Sequence, residues 1–152
     1  GTALGLGRGE RLKGLRLERP FRAVVAVPGW RVSTARAFDQ INRNKYGLTG
    51  WAAKLRFAQV LGRKRIRVSR ALRLENAFEK TLGDRQEDFV SLCERLRAAG
   101  AWQVRMTGSG SAVFGILEPG ISAAKVVSRF TGREPLFLVR SAGAGLRLRR
   151  HG

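Results

Sequence analysis

Trp102-Gln103-Val104-Arg105-Met106-Thr107-Gly108-Ser109-Gly110-Ser111-Ala112-Val113-Phe114-Gly115-Ile116-Leu117 is the stretch whose pattern decides the fold. Trp102, Val104 and Met106 alternate with Gln103 and Arg105, the period-two signature of a half-buried strand. Ala112 to Leu117 is a second strand, and the Thr, Gly and Ser residues at 107–111 form the loop between them. Two strands joined by so short a loop can pair only as antiparallel neighbours. The sheet is therefore antiparallel at least here, and the rest of the chain must supply the layer that covers it.

Upstream, Phe21 to Val27 is a continuous apolar, β-rich run closed by Pro28-Gly29, the composition of a strand at a sheet centre. Ser33 and Thr34 are placed to cap a helix bearing Ala37, Phe38 and Ile41. Asn42 to Gly50 reads as loop, and Trp51, Leu55 and Ala58 resume a helical spacing up to Gly62. Asn76-Ala77-Phe78-Glu79 has the form of a capping box, so a helix is expected to start there. Asp84, with Glu87 three residues on, opens another, whose stripe of Phe89, Leu92, Cys93, Leu96 and Ala99 is ended by Gly100. Downstream, Ser122 caps a helix with Ala123, Val126, Val127 and Phe130, Gly132 stops it, and Leu136 to Val139 is the last strand.

From Phe21 onward the order is strand, helices, strand, strand, helix, strand. Short strands and one-striped helices pack most economically as an α+β fold: a four-stranded antiparallel sheet with helices on one face. This is a ferredoxin-like split βαβ arrangement with extra helices in the first crossover. Before it, Gly1–Gly9 and Arg11–Leu17 read as two short strands around a turn. The divisions expected are 1–20, a β segment belonging to an N-terminal domain; 21–145, the main domain; and 146–152, a basic tail. The chain opens in mid-pattern on Gly1, which points to further chain upstream.

The composition, 43% apolar in 152 residues, allows one hydrophobic core. No apolar run approaches the roughly 18–20 residues of a membrane span. A lone cysteine, Cys93, has no partner for a disulfide, which fits a reducing, cytoplasmic setting, and its place on the helix stripe makes it a core residue. Lys plus Arg number 30 against 11 acids, a formal +19 that attracts polyanions. Between Asp39 and Glu75 there is no acid, while Arg43, Lys45, Lys54, Arg56 and a run from Arg63 to Arg73 are basic. Such a segment is either a solvated arginine-rich face or an anion-facing one.

The loop at 107–112 is the most informative chemical feature. Its glycines let backbone approach a ligand, and successive N–H groups in such a turn form an anion nest. A hairpin turn needs the same residues for its own backbone angles, so spacing leaves both readings open. No Gly-Lys-Ser or Gly-Lys-Thr follows, which excludes a Walker A loop. Gly5-Leu6-Gly7-Arg8-Gly9 reads as a turn. No catalytic constellation or metal-ligand cluster stands out in the sequence, and Asp84, Glu87 and Asp88 sit where they serve a helix dipole.

Several segments together resemble the galactokinase/homoserine/mevalonate/phosphomevalonate (GHMP) kinase superfamily, and within it the diphosphocytidyl-methylerythritol kinases. Gly-Thr-Ala-Leu-Gly-Leu-Gly-Arg-Gly-Glu (1–10) is similar to the segment that follows the catalytic aspartate loop of those enzymes. Pro28 through Val32-Ser33-Thr34 to Ala37-Phe38 is similar to their Pro-x-x-x-Val-Ser-Thr-x-x-Ala-Tyr/Phe stretch. Asn76-Ala77-Phe78-Glu79 resembles an Asn-Asp-Leu/Phe-Glu element, with Ala77 in place of Asp. Gly100-Ala101 through Met106-Thr107-Gly108-Ser109-Gly110-Ser111-Ala112-Val113-Phe114 resembles the C-terminal signature of the superfamily, with Ser111-Ala112 where Pro-Thr or Pro-Ser is common.

The resemblance implies a ferredoxin-like C-terminal half of an ATP-dependent kinase, using Mg²⁺ and acting on the 2-hydroxyl of 4-diphosphocytidyl-2-C-methyl-D-erythritol in non-mevalonate isoprenoid biosynthesis. It implies that Gly108, Ser109, Gly110 and Ser111 close the phosphate end of the site. It implies that Phe38 stacks on a cytosine ring with Thr34 and Ser33 nearby; the alternative for Phe38 is a core residue beside Ala37 and Ile41. The family's catalytic Asp and Lys belong to its N-terminal half, so no catalytic residue is expected in this chain and the isolated chain is expected to be inactive. The partners implied are a small molecule with a cytidine diphosphate group and an N-terminal kinase half. Three other readings stand beside this one: another GHMP small-molecule kinase, a basic ferredoxin-like nucleic-acid-binding module, and a regulatory remnant domain that keeps the fold without the chemistry.

Overall fold

The computed structural model describes residues 2–6, 10–44, 64–68 and 74–142. Strand β1 (Thr2–Leu6) pairs antiparallel with β2 (Arg11–Leu17), and β2 pairs parallel with the two-residue β4 (Arg65–Ile66). Thr2 faces Leu15 and Leu4 faces Lys13, so Leu4 and Leu15 fall on one side of the ribbon, where both are buried. This small sheet accounts for the two N-terminal strands expected from the sequence.

The second sheet contains β3 (Arg22–Ala26), β5 (Ala101–Met106), β6 (Val113–Leu117) and β7 (Leu136–Arg140) in the order β5-β6-β3-β7, every pair antiparallel. Sequence neighbours β3 and β5 are separated by β6, and β6 and β7 by β3. That interleaving is the split βαβ arrangement, and it makes β3 central. A strand with two neighbours and a covered face has no use for polar side chains; Ala23, Val24 and Ala26 are accordingly buried.

Helix α1 (Thr34–Asn44) opens on Ser33, whose hydroxyl lies 3.4 Å from the Arg36 amide it accepts and whose carbonyl accepts from Ala37. Helix α2 (Gln86–Ala98) lays Phe89, Leu92, Cys93 and Leu96 onto Val104, Met106, Val113 and Leu117 of the sheet. Spacings of three and four put these residues on one stripe, and Leu92 and Leu96 are fully buried. The helix ends at Gly100, held at φ +112, where a Cβ would run into the Ile121 side chain. Helix α3 (Ala123–Arg129) is capped by Ser122, which accepts from the Lys125 amide at 3.1 Å, and buries Val126 in the same core.

Some expectations change. Residues 77–81 form a 3-10 turn rather than an α-helix, and a second 3-10 turn spans Gly83–Arg85, so α2 starts two residues beyond Asp84. Arg85 precedes it without a side-chain cap. In β5 the alternation breaks: Ala101 pairs with Leu117 but Gln103 with the adjacent Ile116, leaving Trp102 as a bulge. Ala101, Val104 and Met106 face the core, while Trp102 is only half-buried. Helix α1 continues to Asn44, past the expected boundary at Asn42. The helical spacing read over Trp51–Gly62 and most of the basic segment lie outside the described residues, as does the tail.

Candidate functional site

Loop 107–112 joins β5 to β6, so the hairpin reading of its role in the fold holds. The Thr107 amide donates to the Ala112 carbonyl at 2.9 Å, and the Gly110 amide to that of Thr107 at 3.1 Å. Gly108 and Gly110 have φ of +57 and +103, angles that L side chains rarely adopt, and the Gly110–Ser111 peptide is cis. At Gly110 glycine is also needed for space: a Cβ would stand 2.8 Å from the Met106 sulfur and 3.0 Å from Val32 Cγ2. The loop therefore lies directly against the residues that lead into α1. Among the described residues, the amides of Gly108, Ser109 and Ser111 donate to no backbone carbonyl, which leaves them to water or to a ligand.

Two elements distant in sequence close on this loop. From the start of α1, Thr34 shares a hydroxyl hydrogen bond with Ser109, 2.9 Å between the Oγ atoms. From the segment before the 3-10 turn, Asn76 donates both hydrogens of Nδ2, to the Met106 carbonyl at 2.9 Å and the Gly108 carbonyl at 2.7 Å. Its Oδ1 meanwhile accepts from the Phe78 amide at 3.0 Å. One side chain thus caps the turn and grips the loop. Glu79 Oε1 accepts the Met106 amide at 2.9 Å, and its other oxygen lies 3.7 Å from Arg105, whose Nε donates to the Leu74 carbonyl. The Asn-x-x-Glu pattern is real, but Glu79 serves strand β5 instead of reaching back to Asn76.

Burial raises the Glu79 carboxyl above its usual range, against the Met106 hydrogen bond and the Arg105 charge, which pull it down. Burial likewise pushes the Cys93 thiol up to about 11; Cys93 is enclosed in the core, as its place on the stripe required.

Phe38 is 53% exposed, so it is not the core residue that its spacing with Ala37 allowed. Ala37 alone of that pair is buried. The Phe38 ring meets Phe78 edge to face, centroids 4.9 Å apart at 79°, and leaves the rest of its surface open. Of the residues singled out in the sequence, Gly108, Ser109, Gly110 and Thr34 come together directly. Phe38 stands one helical turn beyond Thr34, Ser111 ends the loop, and Ser33 is occupied as the helix cap. Asn76 and Glu79, read in the sequence as a helix start and as part of a family-like element but given no place in the site, are the residues that fasten the loop.

The GHMP kinases C terminal family model matches residues 59–134, a span that contains the loop, Asn76 and Glu79. The chain belongs to the GHMP kinase family. Among its relatives is the 4-diphosphocytidyl-2-C-methyl-D-erythritol kinase of Chloroherpeton thalassium, 31% identical over 137 residues, which cover 90% of this chain and 47% of that protein. The Gloeobacter violaceus enzyme of the same name is 34% identical over 152 residues, covering 96% of this chain and 50% of that protein. A solved 4-(cytidine 5'-diphospho)-2C-methyl-D-erythritol kinase superposes with a TM-score of 0.62 at 28% identity, over 91% of this chain and 48% of the other. The chain thus spans about half the length of the GHMP kinase relatives it matches. Among the described residues no helix is long and apolar enough to cross a membrane.

Proposed function

We propose that this chain is the substrate-side half of an ATP-dependent kinase that phosphorylates the 2-hydroxyl of 4-diphosphocytidyl-2-C-methyl-D-erythritol, in the cytoplasm, as a step of non-mevalonate isoprenoid biosynthesis. The observation that carries the reading is the convergence at one end of the sheet: the amides of Gly108, Ser109 and Ser111, the Thr34–Ser109 hydroxyl pair, and the exposed Phe38 ring one helical turn away. A phosphate with an aromatic base attached is the ligand such a set fits. The amides and hydroxyls face the phosphoryl oxygens, and the ring offers the base a stacking surface worth about 1–3 kcal/mol. Relatives named for a cytidine-diphosphate substrate support the choice of base.

Phosphoryl transfer asks a protein chiefly to position two substrates and to compensate developing charge. In this proposal the chain holds and orients the acceptor, and its glycine loop closes over the phosphates. Among the described residues no group of three or more His, Cys, Asp or Glu could hold a metal. Mg²⁺ would therefore arrive on the phosphates of ATP, the ligands it commonly keeps in kinases, rather than in a cage built by these residues. The catalytic Asp and Lys are proposed to come from the N-terminal half of the complete enzyme.

The test is calorimetric titration of the 152-residue chain with CDP and with ribose 5-phosphate. CDP is expected to bind more tightly, and Phe38→Ala to remove roughly 5- to 150-fold of that preference, with only the modest loss of stability, about 0.5–1.5 kcal/mol, that the lost edge-to-face contact with Phe78 implies. Equal affinity for the two ligands, or a Phe38→Ala variant that binds CDP normally, would overturn the assignment. Turnover of the diphosphocytidyl substrate by this chain alone would overturn the division of labour.

A further inference from the structure

Three loops leave the sheet side by side. Ala26 pairs with Val113 and with Leu136, and Val113 with Met106, so residues 27–33, 107–112 and 131–135 emerge at the same end. Between the first and third of these loops is an open depression of about 850 Å³. Trp30 and Arg31 stand on one rim, Thr131 and Arg133 on the other, Arg95 reaches in from α2, and Ser111 contributes the wall shared with the glycine loop. The rims are tied to each other where the Val27 amide donates to the Pro135 carbonyl at 3.1 Å.

The charges here are not equivalent. Arg95 is committed: it donates to Ser91 Oγ at 2.9 Å, pairs with the Glu134 carboxylate, and has its guanidinium carbon 5.9 Å from the centre of the Phe130 ring. Gly132 lacks the side chain that would collide with Glu134 and Phe130, which lets that pair close. Arg31 and Arg133 are exposed, and neither has an ion-pair partner among the described residues. Arg95 and Glu134 cancel, and the two opposed rims each carry an uncompensated guanidinium beside the hydroxyls of Ser111 and Thr131.

Two guanidinium groups with hydroxyl donors are the chemistry that recognises a phosphoryl group. The volume is far more than phosphate fills and lies in the range of small-molecule sites. Trp30, which also packs against the core, supplies an apolar wall for the remainder. We propose that this depression is a binding site for a small organic phosphate, with Arg31 and Arg133 on the phosphoryl oxygens and Trp30 against the organic group. It borders the glycine loop through Ser111, while Trp30, Arg31, Thr131 and Arg133 take no part in the kinase reading.

The experiment is an amide NMR titration of the 152-residue chain, at constant ionic strength, with inorganic phosphate and with phenyl phosphate. Saturable shifts are expected at the Trp30 indole N–H and the Thr131 and Gly132 amides, with phenyl phosphate the tighter ligand. Arg31→Ala with Arg133→Ala should weaken phenyl phosphate at least tenfold, and the paired Arg→Lys variant, which keeps the charge but not the guanidinium fork, should fall between the parent and the double alanine variant. Phe38→Ala, whose ring lines no part of the depression, should leave this site unchanged. Shifts that never saturate and spread over the whole basic surface would overturn the proposal, as would shifts confined to Gly108–Ser111. Undiminished binding by the double alanine variant with a native spectrum would also refute it.

Discussion

Replacing Asn76 by Asp separates the two tasks of that side chain. Aspartate is as good an N-cap as asparagine, so the bond accepted from the Phe78 amide survives. What changes is Nδ2, which donates to Met106 O at 2.9 Å and Gly108 O at 2.7 Å. A carboxylate oxygen there donates nothing and faces two carbonyls. Each lost bond is worth about 1 kcal/mol net. Gly108 is exposed and water can take over its carbonyl, so the extra penalty falls mainly on Met106, at the low end of about 1–3 kcal/mol. The total is about 3 kcal/mol, a fall in Tm on the order of 6–12 °C for a chain of this size. Two facing carbonyls raise the new carboxyl's folded pKa above its unfolded value, so the gap from the parent should narrow as pH falls toward about 4, where the protonated carboxyl can donate again. Calorimetry across pH, with hydrogen exchange at Gly108–Ser111, reads both effects. The reasoning fails if Asn76→Asp is as stable as the parent while Asn76→Ala is not, because the cap alone would then account for the residue.

Cys93 should resist iodoacetamide at pH 8 until the chain is unfolded, because burial holds its thiol near 11; rapid alkylation of native protein would contradict this. Its raised value means that the neutral thiol's contribution to stability is complete below pH 9 and is lost as pH climbs through about 11. Glu79 has a raised folded value too, so its contribution declines as pH rises from its unfolded value of 4.5 through the folded one. Glu79→Gln keeps an acceptor for the Met106 amide and should flatten that part of the Tm–pH curve; an unchanged slope would show that the carboxyl does not titrate with folding. Gly110→Ala should cost about 1–3 kcal/mol from the left-handed backbone angle, with a further loss from the approach to Met106 and Val32. An alanine variant with parental Tm would mean that the loop relaxes freely.

Much of the architecture was legible because it rests on local periodicity. The stripe Phe89-Leu92-Cys93-Leu96, the caps at Ser33 and Ser122, the apolar run at Phe21–Val27 and the Gly100 stop each report on a few consecutive residues, and each appears as expected. The order of these elements then left the split βαβ arrangement as the economical packing. Trp102 escaped that logic, since alternation along one strand says nothing about an extra residue that only the pairing with β6 reveals. The 3-10 turns at 77–85 escaped it as well: Asn76 and Glu79 have the residue types of a capping box, but their side chains have partners some thirty residues away.

The functional residues divide along the same line. The sequence alone determined that a glycine-serine loop joins two antiparallel strands and that its motifs follow the order of one kinase family, because backbone freedom and motif order are properties of neighbours in the chain. Only the tertiary structure decided that the loop is more than a turn. It set Thr34 and Asn76 against it, turned Phe38 outward, and placed Arg31 opposite Arg133 across a depression. Those placements depend on which strand ends lie side by side in the sheet, and that register is fixed by packing between segments far apart in the chain.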